Sequence, residues 1–208
     1  MTYQPFSSKE LYMMNGGRTL YIYKDGFGDV YNPGPGDEQT WEKELVGQLL
    51  VNLDTETNEV CLTHAIENLA WHNYPGLEAL LLQKMQQATI NRKIVFATCL
   101  WKLYKNKHSF RVLEENLQQH RNECLDEVFT ALHDFKDNTH AIRFLVSSIE
   151  SNDDVLIAKS QVTLTMWAYT GLSSLRNGDL LQMLRPENKK ADTFKAAVGQ
   201  LKKILACS

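Results

Sequence analysis

No stretch of this 208-residue sequence approaches the roughly 18 consecutive apolar residues that a membrane-spanning helix needs. The opening residues, MTYQPFSSKELYMMNGG, lack a basic segment followed by an apolar run, so they do not read as a secretory leader. The expectation is a cytoplasmic protein with no membrane partner. An excess of one charge is also missing. There are 22 Lys+Arg against 25 Asp+Glu, a formal net charge of −3, which gives no global attraction to nucleic acid or anionic lipid. Cysteine is scarce and widely spaced. Cys61, Cys99 and Cys124 fall within apolar helical patterns, and Cys207 lies near the end. This distribution predicts reduced thiols packed in a core rather than a disulfide framework.

Several chemical signatures are absent as well. No GxSxG and no glycine-flanked cysteine offers a nucleophile beside a base. GFGDV and NPGPG have neither the GxxxxGK[ST] nor the GxGxxG spacing that cradles phosphate. DGFGD lacks the alternating ligands of an EF-hand loop. Cys61 and His64 are three apart on one helical face, with His72 two turns on, but no second CxxC or HxxxH supplies the further ligands that zinc requires. The reading is therefore of no catalytic residues, no metal and no cofactor.

What is present is an ordinary globular composition, 43% hydrophobic and 23% charged, enough for a core without staples. Residues 1–36 differ from the rest. TLYIY is β-branched and aromatic, KDGFG can turn, and DVY can return, so the spacing predicts a short β-hairpin over 19–31. NPGPG then breaks the chain before a helical-repeat region at 37–208. That region opens with Trp41, Leu45, Leu49 and Leu53 at i+4 spacing and with acidic residues in the first turn.

From residue 59 onward, paired helical patterns recur. Ala65 and Leu69 begin one apolar stripe, which fails at His72. Ala97, Trp101 and Tyr104 form the next, then Val128, Leu132 and Phe135, then Val162, Met166 and Tyr169. The anchors Ala65, Ala97, Val128 and Val162 are separated by 32, 31 and 34 residues. Second helices follow short polar turns, with Leu77, Leu80 and Leu81, then Phe110, Leu113 and Leu117, then Ile142, Leu145 and Ile149 at helical spacing. The fourth is weaker, because Asn177-Gly178 divides it into two short pieces. Phe194, Val198, Leu201 and Leu205 share one face of a closing helix.

Over residues 59–184 this pattern resembles the HEAT/armadillo class of α-solenoids, although the units are shorter than that class's usual length and the tetratricopeptide and ankyrin signatures are absent. The resemblance implies an all-α, α-α superhelix behind the hairpin, and the alternative is an irregular helical bundle. It implies a non-catalytic protein-interaction module, whether scaffold, adaptor or partner-specific inhibitor of the immunity type, whose partner is another protein. The polar sides of the second helices would line the concave face: Glu78, Gln83, Arg111, Glu114, Glu115, Gln118, Arg143 and Ser147. The alternative is a nucleic-acid-binding HEAT-like protein with lesion-processing activity. There Lys102, Lys105, Lys107 and Arg111 would neutralise phosphates, and Trp101 and Tyr104 would stack on a base. The acidic residues from Glu114 to Glu127 dilute that basic cluster, and the apolar stripe would turn Trp101 inward.

Overall fold

A computed structural model describes residues 6–176 and 178–206. Among them the secondary structure is entirely helical: eleven α-helices and three short 3-10 turns, with no strand. The chain divides into two compact units, residues 1–80 and 81–208.

The first unit begins with α1 (Ser8–Met14), started by a capping box in which Ser7 and Glu10 satisfy each other's backbone amides. The bond from the Ser7 amide, then one from the Ser7 hydroxyl, hold the Glu10 carboxyl below its ordinary range. The hairpin expected at 19–31 does not form. Residues Thr19–Lys24 are instead a short helix, α2. The β-rich composition of TLYIY describes a side-chain preference for half-buried pleated surfaces, and the described residues form no sheet on which a hairpin could lean. A helix satisfies the backbone locally and aims one residue, Ile22, fully inward while Leu20, Tyr21 and Tyr23 stay exposed. Gly26, at φ 83°, ends it.

Long α3 (Asp37–Thr55) buries Leu45, Leu49 and Leu53, as the spacing predicts. It packs on α4 (Glu59–Trp71), whose N-cap Asn58 accepts from the amides of Val60 and Cys61. Ala65 and Leu69 are buried, but Cys61 is exposed, contrary to the expectation of a packed thiol. Its position beside the cap, at the first turn of α4, leaves it outside the buried stripe. Helix α5 (Leu77–Gln86) crosses the boundary between the units and buries Leu77 and Leu81.

The second unit consists of α6 (Ile90–Tyr104), α7 (Ser109–Ala131), a 3-10 turn (Leu132–Phe135), α8 (Thr139–Glu150), α9 (Asp154–Thr170), α10 (Gly178–Met183) and α11 (Asp192–Ala206). Two further 3-10 turns, Ser173–Leu175 and Pro186–Asn188, flank α10. Helix α7 is bent at His120, where φ −134° and ψ 35° leave the helical region. That bend separates the two apolar patterns legible in the sequence, one ending at Leu117 and the other running from Val128 to Phe135. Phe110, Leu113, Leu117, Val128, Leu132, Phe135, Leu145 and Ile149 all enter one core, closed by the predicted face of α11. Cys99 and Cys124 are buried; burial, then Glu127 and Glu123, raise the Cys124 thiol above its usual range. Cys207 and Asn177 lie outside the described residues.

One stripe is displaced. Val162, Met166 and Tyr169 are 54%, 41% and 72% exposed, and the neighbouring Thr163, Leu164 and Trp167 are buried in their place. Tyr104, the last residue of α6, is exposed as well. Helix α9 is apolar on both sides, so periodicity alone could not choose which side faces the core.

Polar contacts between elements recur at similar chain separations. Lys105 pairs with Asp137 and Arg121 with Asp153, each 32 residues apart. The Trp101 indole donates to the Asp134 carbonyl, and Lys159 pairs with Asp126, each 33 apart. The Lys136 ammonium donates to the Thr170 carbonyl, 34 apart, and the Trp167 indole to the Leu132 carbonyl, 35 apart.

These burials predict opposite outcomes for adjacent residues. Trp167→Ala removes a fully buried ring and should cost about 3–5 kcal/mol. Met166→Ala should stay within about 0.5 kcal/mol. Urea unfolding at low micromolar protein, followed by circular dichroism, measures both. Equal losses would refute the face assignment of α9.

Candidate interaction groove

A recess of about 1040 Å³ in the second unit lies along α8. Ile142 and Val146, one turn apart on that helix and half-buried, form its apolar floor with Leu172 and Leu205. Asn138 sets the start of α8 by accepting from the amides of His140 and Ala141, at 2.9 and 3.0 Å. The opposite side of the helix, with Ala141, Leu145 and Ile149, is fully buried, which fixes the rotation that brings Ile142, Arg143, Val146 and Ser147 to the groove.

The charged rim is mostly paired. Lys202 Nζ is 2.6 Å from Glu150 Oε1. Asp137 accepts from Lys105 at 2.8 Å. Burial opposes ionisation of Asp137, but the hydrogen bond from Lys105, one from the backbone amide of Asp137 itself and the charge of Lys105 outweigh it and hold the carboxyl below its usual range. Lys136 donates to the Thr170 carbonyl at 2.5 Å. Arg143 is exposed and, among the described residues, has no hydrogen-bond or ion-pair partner. The groove therefore combines an apolar floor with one uncommitted guanidinium.

Of the eight residues expected on a concave face, two share this recess. Arg143 and Ser147 line the groove. Glu78 and Gln83 sit on α5, while Arg111, Glu114, Glu115 and Gln118 sit on α7, with Arg111 paired to Glu115 at 2.7 Å. Lys136, Val146, Leu172 and Lys202 were not singled out by the sequence. Two of them lie in connecting turns, and half-buried Val146 carries no signal distinct from a core residue.

The basic cluster is similarly engaged. Lys105 and Arg111 both have carboxylate partners, and Lys102 also interacts within the chain. Lys107 is exposed. Trp101 is 7% exposed, stacks on Phe135 at 5.4 Å and has the Lys105 ammonium 4.8 Å from its ring centroid.

In the first unit His72 and Glu42 form a pair that could be mistaken for a catalytic dyad, with Nδ1 2.9 Å from Glu42 Oε1. Its Nε2, however, lies 2.9 Å from the Gly16 carbonyl, so both ring nitrogens face acceptors and neither is free for a substrate. A Cβ at Gly17 would stand 2.7 Å from the ring, so only glycine fits there, at φ 75°. Among the described residues no three His, Cys, Asp or Glu side chains converge to hold a metal ion, and no helix is long and apolar enough to cross a membrane.

Comparison with known families, curated proteins and solved structures finds no match for the chain.

The lowered Asp137 carboxyl predicts a pH-dependent contribution to stability. Its folded pKa lies below the unfolded value, so the contribution is present above the unfolded pKa and is lost as pH falls through the folded one. Asp137→Asn should lower stability at pH 7 by about 0.2–1 kcal/mol, as for exposed pairs, and the gap should close on acidification toward pH 3. Denaturant titrations at several pH values check it. A gap that persists in acid would remove the ion pair as its cause.

Proposed function

We propose that this protein is a non-catalytic protein-interaction module built from short α-helical repeats, and that the groove along α8 is its binding surface. The observation that carries this reading is the apolar floor of Ile142, Val146, Leu172 and Leu205 beneath an uncommitted Arg143. Such a combination suits a partner segment with apolar side chains and a carboxylate, because Arg can hold a carboxylate with two parallel hydrogen bonds. The solenoid-like arrangement is supported by the polar contacts at separations of 32 to 35 residues, which match the spacing of the sequence anchors. A preformed groove on packed helices binds with little ordering cost. Scaffold, adaptor and partner-specific inhibitor are all forms that this activity can take.

The test is affinity purification of the tagged protein from its own host, beside Val146→Asp and the exposed Arg143→Glu. One stoichiometric protein should be recovered with the native chain and lost with both variants, each checked for unchanged circular dichroism. Recovery of nuclease-sensitive material instead would favour nucleic-acid binding.

Binding to nucleic acid is disfavoured by the internal pairing of Lys105 and Arg111 and by the burial of Trp101. A phosphate surface with six or more contacts would lose roughly 10³-fold or more in affinity between 50 and 200 mM salt. Fluorescence anisotropy with labelled duplex and single strands should show no saturable binding at moderate salt. Micromolar binding that the Lys102/Lys105/Lys107/Arg111→Ala variant loses would overturn the protein-interaction reading.

A further inference from the structure

We propose that the outward face of α9 is a self-association surface, on which two copies of this chain pair antiparallel about Val162. A solvated helix normally turns polar residues outward, but Val155, Val162, Met166 and Tyr169 are 49%, 54%, 41% and 72% exposed. At about 100° per residue these four side chains point within about 60° of one another, and at about 1.5 Å per residue they span roughly 20 Å; Lys159, at the edge of the same arc between Val155 and Val162, is drawn aside by its ion pair with Asp126. The opposite side of the same helix buries Ile157, Leu164 and Trp167, so the stripe is not required by the chain's own core.

The spacing of the stripe is self-complementary in only one direction. An antiparallel pair centred on Val162 sets Val155 opposite the second copy's Tyr169, and Ala158 opposite its Met166. Each large side chain then meets a small one, which lets facing layers interdigitate. A parallel pair would place Tyr169 against Tyr169 and leave a gap between two Val155 side chains.

Charge selects the same direction. The N-terminal end of α9 carries Asp153 and Asp154. Lys136 and Arg176 cap the C-terminal end, donating to the Thr170 and Ala168 carbonyls. Arg121 and Lys189 lie 2.5 and 3.5 Å from Asp153 and Asp154, but the Asp154 side chain remains 71% exposed. Asp153 is committed to the cap and to Arg121, so the charge left for a partner is that of exposed Asp154; an antiparallel pair brings it toward the basic end of the second copy and opposes the helix dipoles favourably. A parallel pair would join like ends.

A patch of a few hundred Å² from each copy falls short of the roughly 1,200 Å² typical of stable interfaces. The dimer is therefore transient, with micromolar or weaker affinity.

Sedimentation velocity on the full chain, from low micromolar to several hundred micromolar, tests the association. The average mass should rise from 23.9 kDa toward twice that value. Val162→Glu, which places two like charges at the symmetry axis, should abolish the rise without changing circular dichroism. A native chain that stays monomeric throughout overturns the proposal, as does a Val162→Glu chain that still dimerises. The register is tested by oxidation in a Cys61→Ser/Cys207→Ser background. Val162→Cys should form an interchain disulfide, and Val155→Cys should cross-link to Tyr169→Cys faster than to itself. Faster self-linking of Val155→Cys overturns the antiparallel arrangement.

Discussion

The 3-10 turn Leu132–Phe135 is held by two indoles. Trp101 of α6 donates to the Asp134 carbonyl, and Trp167 of α9 donates to the Leu132 carbonyl. Carbonyls in so tight a turn have no continuing helix to bond them, and one left buried without a donor is expensive. Each indole supplies that donor along with a large apolar surface, while Leu132 and Phe135 are themselves fully buried. A turn of four residues thereby joins three long helices. The direction in which α8 departs from this turn, and hence the position of the groove, depends on it.

The helices of the core were largely legible because their apolar residues fall on one side. Leu45, Leu49 and Leu53, or Phe194, Val198, Leu201 and Leu205, admit one burial and take it. Helix α9 was misread because it offers two apolar sides, and only packing distinguishes them. The segment Thr19–Lys24 was misread for another reason. Its residues favour a pleated surface, but among the described residues there is no partner strand, and burial of Ile22 is satisfied by a short helix. Local preference yields when the surroundings provide nothing for it to pair with.

The groove was only half visible. Arg143 and Ser147 stood out as polar residues on a second helix, but the floor is built from α8, a turn and α11, which the chain order separates. Ile142 was assigned to the core stripe, and a half-buried apolar residue has the same periodicity as a buried one. Sites made by convergence of distant segments leave little trace in local spacing. Isolated clusters are correspondingly deceptive: the lysines of 102–107 and Arg111 look like a docking patch in one dimension, but Lys105 and Arg111 are taken up by carboxylates 32 and 4 residues away.

The contact of His72 with Gly16, Gly17 and Glu42 has a bearing on how relatives of this chain would be interpreted. The ring excludes every side chain at position 17, and its two nitrogens are committed to a carbonyl and a carboxylate. Drift at any one of these four positions would be penalised through the others, so selection for stability alone would keep them together. In an alignment, such a linked glycine, glutamate and histidine would carry the outward signature of an enzyme's active site, although the geometry leaves no nitrogen with which to perform a reaction.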